Sequence, residues 1–99
     1  MFTKQDLDNF AVAIVENYNI WSDKDADSQI NPMSVIFEEG KKYIRVIRVQ
    51  GIARSAHSFV EIETGNVWKA ASWKVPAKNK PRGHITKLTQ NIVYWTGAY

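Results

Sequence analysis

Two ingredients of nucleic-acid recognition lie together in the stretch WKAASWKVPAKNKPRGHITK, residues 68–87. Cationic side chains neutralise phosphates and release their counterions, while aromatic rings stack on unpaired bases. Trp68 and Trp73 sit beside Lys69 and Lys74, and Lys78, Lys80, Arg82 and Lys87 follow. No acidic residue occurs in this stretch or anywhere after Glu63. Upstream, Arg45 and Arg48 add two guanidinium groups whose opposite parity on an extended chain projects them from opposite faces. The candidate binding set is therefore Lys69, Trp73, Lys74, Lys78, Lys80, Arg82, Arg45 and Arg48, with DNA or RNA as the expected partner. The competing demand on the tryptophans is the core, which claims most large rings in a chain this short.

Other chemistries have weaker footing. His57 lies between Ser55 and Ser58, and Ser55 shares its parity, so a Ser–His contact is geometrically available. A nucleophile also needs an orienting acid and an oxyanion site, and no motif supplies either. Glu61 and Glu63 share one strand face about 7 Å apart, a spacing equally suited to two solvated carboxylates beside a turn. Asp23, Asp25 and Asp27 imitate the start of a calcium loop, but Ser28 replaces the glycine of the sharp turn and Ser34 the bidentate glutamate. A solvated acidic loop is the reading for residues 22–31. Cysteine is absent, His57 and His84 are far apart, and the five glycines are scattered. Thiolate metal sites, thiol nucleophiles and a phosphate-cradling loop are thereby excluded. No catalytic residue, metal or cofactor is assigned, and a binding protein rather than an enzyme is expected.

The positioning elements follow from periodicity. Leu7, Phe10, Ala11, Ile14 and Tyr18 form one apolar stripe, which predicts a helix over 3–18. Thr3 is its N-cap, Asp6 its capping partner and Asn19 its stop. Val12 and Val15 widen the stripe toward a sheet. From Met33 the period becomes two, giving strands over about 34–38, 41–49, 56–62 and 67–71. Turns fall at Glu39-Gly40, Gln50-Gly51 and Glu63-Thr64-Gly65-Asn66. On the third strand Ser58, Val60 and Ile62 are expected on one face, and His57, Phe59 and Glu61 on the other. A basic loop over 74–84, ended by His84, leads to a segment over 85–99. There Ile85, Leu88 and Ile92 fit a short helix, and residues 92–95 fit an edge strand equally well. The expected fold is α+β: an N-terminal helix packed on an antiparallel β-meander of about four strands, with an irregular C-terminal segment, in a single domain over 1–99.

Composition bounds the setting. The net charge is +3, but residues 1–63 carry −3 and residues 64–99 carry +6. Such asymmetry points to an anionic partner. No apolar run reaches the roughly 20 residues of a membrane span, and MFTKQDLDNF lacks the basic start of a signal peptide. A cytosolic protein without membrane association is expected. Twelve aromatic residues in 99 also allow a protein-binding surface, with the tail Tyr94-Trp95-Thr96-Gly97-Ala98-Tyr99 as a contact to another chain or to the chain's own sheet.

In GKKYIRVIRV, RSAHSFVEIETGNVWKAASWKVPAK, PRGHI and the closing YWTGAY, the chain resembles a family of small uncharacterised phage proteins. Their shared pattern is R-S-x-H-x-F-V, E-T-G-[DN]-V and K-x-A-S-W-K-x-P-A-K, and the likeness spans about residues 38–99. Lys80-Pro81 lengthens the loop after Pro-Ala-Lys here. The resemblance implies a phage source and residence in the cytoplasm of a bacterial host or in the virion, where a host or virion protein is the alternative partner. It carries no known activity, so no site residue is transferred from it.

Overall fold

The computed structural model describes residues 2–23 and 33–99. Thr3 opens helix α1 (Lys4–Asp23) through a reciprocal cap: its backbone N–H donates to Asp6 Oδ2 at 2.8 Å, and Asp6 N–H donates to Thr3 Oγ1 at 3.3 Å. The aspartate does the work of the usual glutamate in a capping box. Phe10, Ile14 and Tyr18 form the buried stripe. Two expectations fail on this helix. It runs past Asn19 to Asp23, because the Tyr18 and Trp21 rings pack on Trp95 of the C-terminal segment and tertiary contact overrides a weak stop signal. Val12, expected against the sheet, is 55% exposed. The acidic residues 24–31, Asp25 and Asp27 among them, lie outside the described residues, as does the side chain of Asp23.

The sheet is an antiparallel meander in sequence order: β1 (Met33–Glu39), β2 (Tyr43–Gln50), β3 (Ala53–Glu61), β4 (Asn66–Lys69) and β5 (Gly83–His84). It thus has five strands where about four were expected. Arg82 N–H donates to Val67 O at 2.7 Å, which draws the end of the basic loop onto β4 and lets Gly83 and His84 pair there. Lys41 and Lys42, expected in a strand, form the β1–β2 turn, closed by Gly40 N–H on Tyr43 O. β3 starts at Ala53 rather than 56, and β4 stops at Lys69 rather than 71. The last hairpin turns at Gly65, whose φ is +80°; a Cβ there would also lie 2.7 Å from His84 Nε2. Only glycine suits that position.

One face of the sheet meets α1. Ile44 and Val46 of β2, Val60 of β3 and Val67 of β4 are buried there, joined by Ile85, Ile92, Val93 and Ala98 from the C-terminal segment. That segment is a one-turn helix, α2 (Gln90–Val93), followed by an extended strap. Neither reading open for this segment holds as drawn: the helix is a single turn that includes Ile92 but leaves Ile85 and Leu88 before it, and no strand forms over 92–95.

The strap is tied down by His57. The β2–β3 register shifts between Val46, opposite Ser58, and Ile47, opposite Ala56, which leaves His57 as the extra residue of a β-bulge. The bulge overturns the expected alternation. His57 joins Ser58 in the interior instead of standing with Phe59, and its ring lies edge-on to Phe10 at 5.9 Å. Its Nε2–H donates to Tyr94 O at 2.7 Å, and Nδ1 accepts from the Ser58 hydroxyl at 2.9 Å. The His57 carbonyl accepts from Ala98 N–H at 3.2 Å. No helix among the described residues is long and apolar enough to cross a membrane.

Burial pushes the His57 pKa from 6.5 down to about 4, with a smaller push from Arg48 and an opposing pull from the Tyr94 hydrogen bond. The imidazole is neutral in the folded chain, whereas the unfolded chain takes up a proton below pH 6.5. The stability His57 provides is therefore intact above pH 6.5 and lost progressively as pH falls toward 4. Urea unfolding at both pH values should show the wild type losing about 3 kcal/mol more than His57→Gln. Parallel pH dependences for the two proteins would refute this role.

Candidate nucleic-acid interface

The sheet face turned away from α1 is built around Arg45. Its neighbours across the ladder are Glu38 on β1 and Phe59 on β3, and Phe59 is followed by Trp68 on β4. The Arg45 guanidinium pairs with the Glu38 carboxylate, and its Nε–H donates to Trp73 O at 2.7 Å. The same group lies 4.6 Å from the Trp73 ring centroid and 5.9 Å from that of Phe59. One planar cation thus fixes a β-strand, a backbone carbonyl and an indole together, a task suited to arginine's fork and flat face.

Trp73 reaches that position because residues 71–75 form a tight turn. Ala71 N–H and Ser72 N–H both donate to Val75 O, and Ala70 bridges Pro76. The turn holds Trp73 and Lys74 at its tip, and Trp73 remains 40% exposed. Phe59, though on this face, is buried and offers no ring to a partner. Tyr43, half-buried, takes its place at the rim, edge-on to Phe59 at 6.2 Å. Lys42 and Lys78 direct their ammonium groups at the Tyr43 ring, 5.6 and 5.4 Å from its centroid.

Between these parts lies a hollow of about 220 Å³, lined by Lys41, Lys42, Arg45 and Lys74 with Glu38 and Glu39, and floored by Tyr43 and Phe59. Glu38 is already matched by Arg45, and Lys41, Lys42 and Lys74 outnumber the remaining carboxylate of Glu39, so the rim is net positive. Lys41 and Lys42 were absent from the set read from sequence. The signal for them was Gly40, which makes them turn residues beside Tyr43 rather than strand residues.

The remaining candidates do not converge on this hollow. Lys69 pairs with Ser58 and lies on the α1 side of the sheet, beside a smaller hollow of about 120 Å³ lined by residues of the strap. Arg82 donates to Asn79 Oδ1 at 3.0 Å, and its carbonyl accepts from Asn91 Nδ2 at 2.8 Å. It thus anchors the loop, and Lys80 is exposed beside it. Arg48 faces α1, as the opposite parity of Arg45 and Arg48 requires. It donates to Ser55 Oγ and Trp95 O, and stacks 5.3 Å from the Trp95 ring. Burial lowers its pKa, against an opposing influence from Tyr18. These contacts commit Arg48 to holding the strap, so the structure gives no support for a binding role there. The aromatic tail packs on the chain's own sheet and helix, where Trp95 N–H donates to Asn17 Oδ1 at 2.9 Å.

The groups weighed for catalysis are engaged elsewhere. Ser55 accepts from Arg48 rather than contacting His57, and Ser58 is fully buried. Glu61 accepts from Trp68 Nε1 at 3.1 Å. His84 ties the basic loop to the last hairpin, with Nε2–H donating to Thr64 O at 2.7 Å. Among the described residues, no three histidine, aspartate or glutamate side chains gather as a metal site.

The chain belongs to a family of unknown function, DUF7717, whose match spans residues 3–99 and so includes α1 as well as the sheet. No curated protein and no solved structure matches it.

Because Arg45 joins three elements, Arg45→Ala should cost about 1–2 kcal/mol in urea unfolding. It should also speed hydrogen exchange at the Ala71 and Ser72 amides, which close the Trp73 turn. Arg45→Lys should recover less than half of the loss, since lysine has no fork to serve Glu38 and Trp73 at once. Unchanged exchange at both amides in Arg45→Ala would show that the turn does not depend on the guanidinium.

Proposed function

We propose that this chain is a small phage accessory protein that binds single-stranded nucleic acid on the Tyr43–Trp73 face, in the cytoplasm of the host. The observation that carries the reading is the placement of Trp73, held outward on Arg45 with Lys74 beside it, while Lys42 and Lys78 flank Tyr43. Bases stack on the two rings, and the backbone runs between the lysines. Arg45, matched by Glu38, contributes position more than free charge. An unpaired strand is favoured over a duplex because stacking requires bases not already paired, and a ring lying on a sheet face does not enter a groove to read base edges. The motif likeness described above supports the phage source. A second reading, binding of a host or virion protein, draws on Ile20 and Trp21, which stand exposed near the end of α1.

Fluorescence anisotropy with single- and double-stranded oligonucleotides at several salt concentrations separates these readings. Single strands should bind more tightly, with log–log salt slopes near −2 if about three lysines replace counterions. Trp73→Ala should weaken binding by roughly 5- to 100-fold, as the loss of one stacked base predicts. Lys74→Glu with Lys78→Glu should flatten the slope by about 1 or more, whereas Lys4→Glu on α1 should leave it unchanged. No binding at low salt, or equal losses from the face and α1 variants, would overturn the proposal.

A further inference from the structure

The two edges of the sheet are treated differently. Beyond β4 the backbone is covered: Ala70 bridges Pro76, Ala77 N–H donates to Lys69 O, Arg82 N–H donates to Val67 O, and β5 pairs with Asn66 and Val67. β1 pairs only with β2 among the described residues. Gly40 N–H donates to Tyr43 O. Because the register of β1 on β2 is unshifted, Ser34, Ile36 and Glu38 share that inward phase. The amides and carbonyls of Val35, Phe37 and Glu39 therefore point away from the sheet. Beside this edge runs an apolar groove of about 370 Å³, lined by Val12 and Val15 of α1 and by Met33 and Val35, with Glu16 as its charged member. Val12 is 55% exposed there, and Ile36 on the opposite face is 40% exposed.

We infer that β1 pairs with β1 of a second copy of the chain, antiparallel and centred on Ile36, to make one continuous ten-stranded sheet. The strand is self-complementary about that centre. Val35 meets Phe37 of the other copy and Glu39 meets Met33, so every outward-pointing residue finds an outward-pointing partner and the ladder closes over the whole strand. Ile36 meets its own twin on one face. Ser34 meets Glu38, and no carboxylate opposes another, which a random register of a strand ending in two glutamates would not secure. On the other face the pairing brings the Val12 and Val15 patches of the two α1 helices toward each other and covers the groove. Pairing also removes the liability of an open strand edge. The twofold axis stands perpendicular to the joined sheet, so both Tyr43–Trp73 faces look the same way. Two short binding sites become one longer platform, although the dimer stands whether or not that face binds nucleic acid.

The chain has no cysteine, so single cysteines report the register directly. Ile36 and its twin form a non-hydrogen-bonded pair, with Cα atoms about 4.5 Å apart, within reach of a disulfide. The two copies of Ser34 are offset by four residues, roughly 13 Å. Under mild oxidation without nucleic acid, Ile36→Cys should convert to a disulfide-linked dimer and Ser34→Cys should stay unlinked. Light scattering of the wild type should give twice the 11.3 kDa chain mass. Val35→Pro removes an outward amide without touching the β2 ladder, so it should give a folded monomer by circular dichroism and mass. A monomeric wild type, or equal cross-linking of the two cysteine variants, would overturn the proposal; so would a fully dimeric Val35→Pro.

Discussion

The fold depends on satisfying one buried imidazole. His57 is almost wholly inaccessible, and an unpaired polar group at that depth would cost about 1–3 kcal/mol. Both ring nitrogens have partners, but one partner is the Tyr94 carbonyl, thirty-seven residues later. The C-terminal strap must therefore return to β3 for the ring to be buried neutral. Once there, its backbone closes on the sheet through Ala98 and the His57 carbonyl, and Gly97 suits the passage because its φ is +145° and a Cβ would crowd that carbonyl at 3.3 Å. The bulge makes this possible, because it turns His57 inward without disturbing the pairing of Val60 and Phe59 beyond it. By closing the helix side, the strap leaves the other face of the sheet to the basic loop.

Each face carries an arginine set against an indole, and the two pairs serve different ends. Arg48 lies beside Trp95, which is packed between Tyr18 and Trp21. It donates from Nε to Ser55 and from Nη1 to the Trp95 carbonyl, so the pair fastens the strap to β2 and β3. Arg45 lies beside Trp73, where the indole remains partly in water and lysines outnumber the carboxylates of Glu38 and Glu39. A cation–π contact is worth about 0.5–2 kcal/mol in either setting. Surroundings, not the contact itself, separate a fastener from a presented surface. Two arginines three residues apart on one strand reach these two settings because strand parity sends them to opposite sides.

Local chemistry made part of this legible in the sequence. Thr3 and Asp6 mark a helix start by a bond spanning three residues, and Gly65 marks a turn by its backbone freedom alone. Arg45 and Arg48 divide by parity, which needs only the strand. What was illegible depends on partners far along the chain. Nothing local to SAHSF announces a bulge, since the shift exists only relative to β2. Gly83 and His84 have too short a run to show a period, and they become a strand only because β4 is there to pair with. The helix overruns Asn19 because of Trp95, more than seventy residues away. The candidate surface divides in the same way. Trp73 and Lys74 were visible as a motif, whereas Lys41 and Lys42 joined them only when the β1–β2 turn was closed.

Preorganisation is what makes the Tyr43–Trp73 face more than a cluster of charges. A lysine-rich loop free in solution would have to be ordered on binding, at about 0.5–1.5 kcal/mol for each long side chain immobilised. Here the expensive part is already done: the 71–75 turn is closed by its own amides, Arg45 fixes the Trp73 carbonyl and ring, and Pro76 is buried behind them. The lysines keep their freedom and their hydration, which suits a partner whose phosphates differ in position from one binding event to the next. A rigid pair of rings with mobile cations around it tolerates sequence and rewards flexibility in the ligand. Those are the demands of the unpaired strand proposed for this face, and they are the reason that proposal is preferred to a folded protein partner with fixed charges.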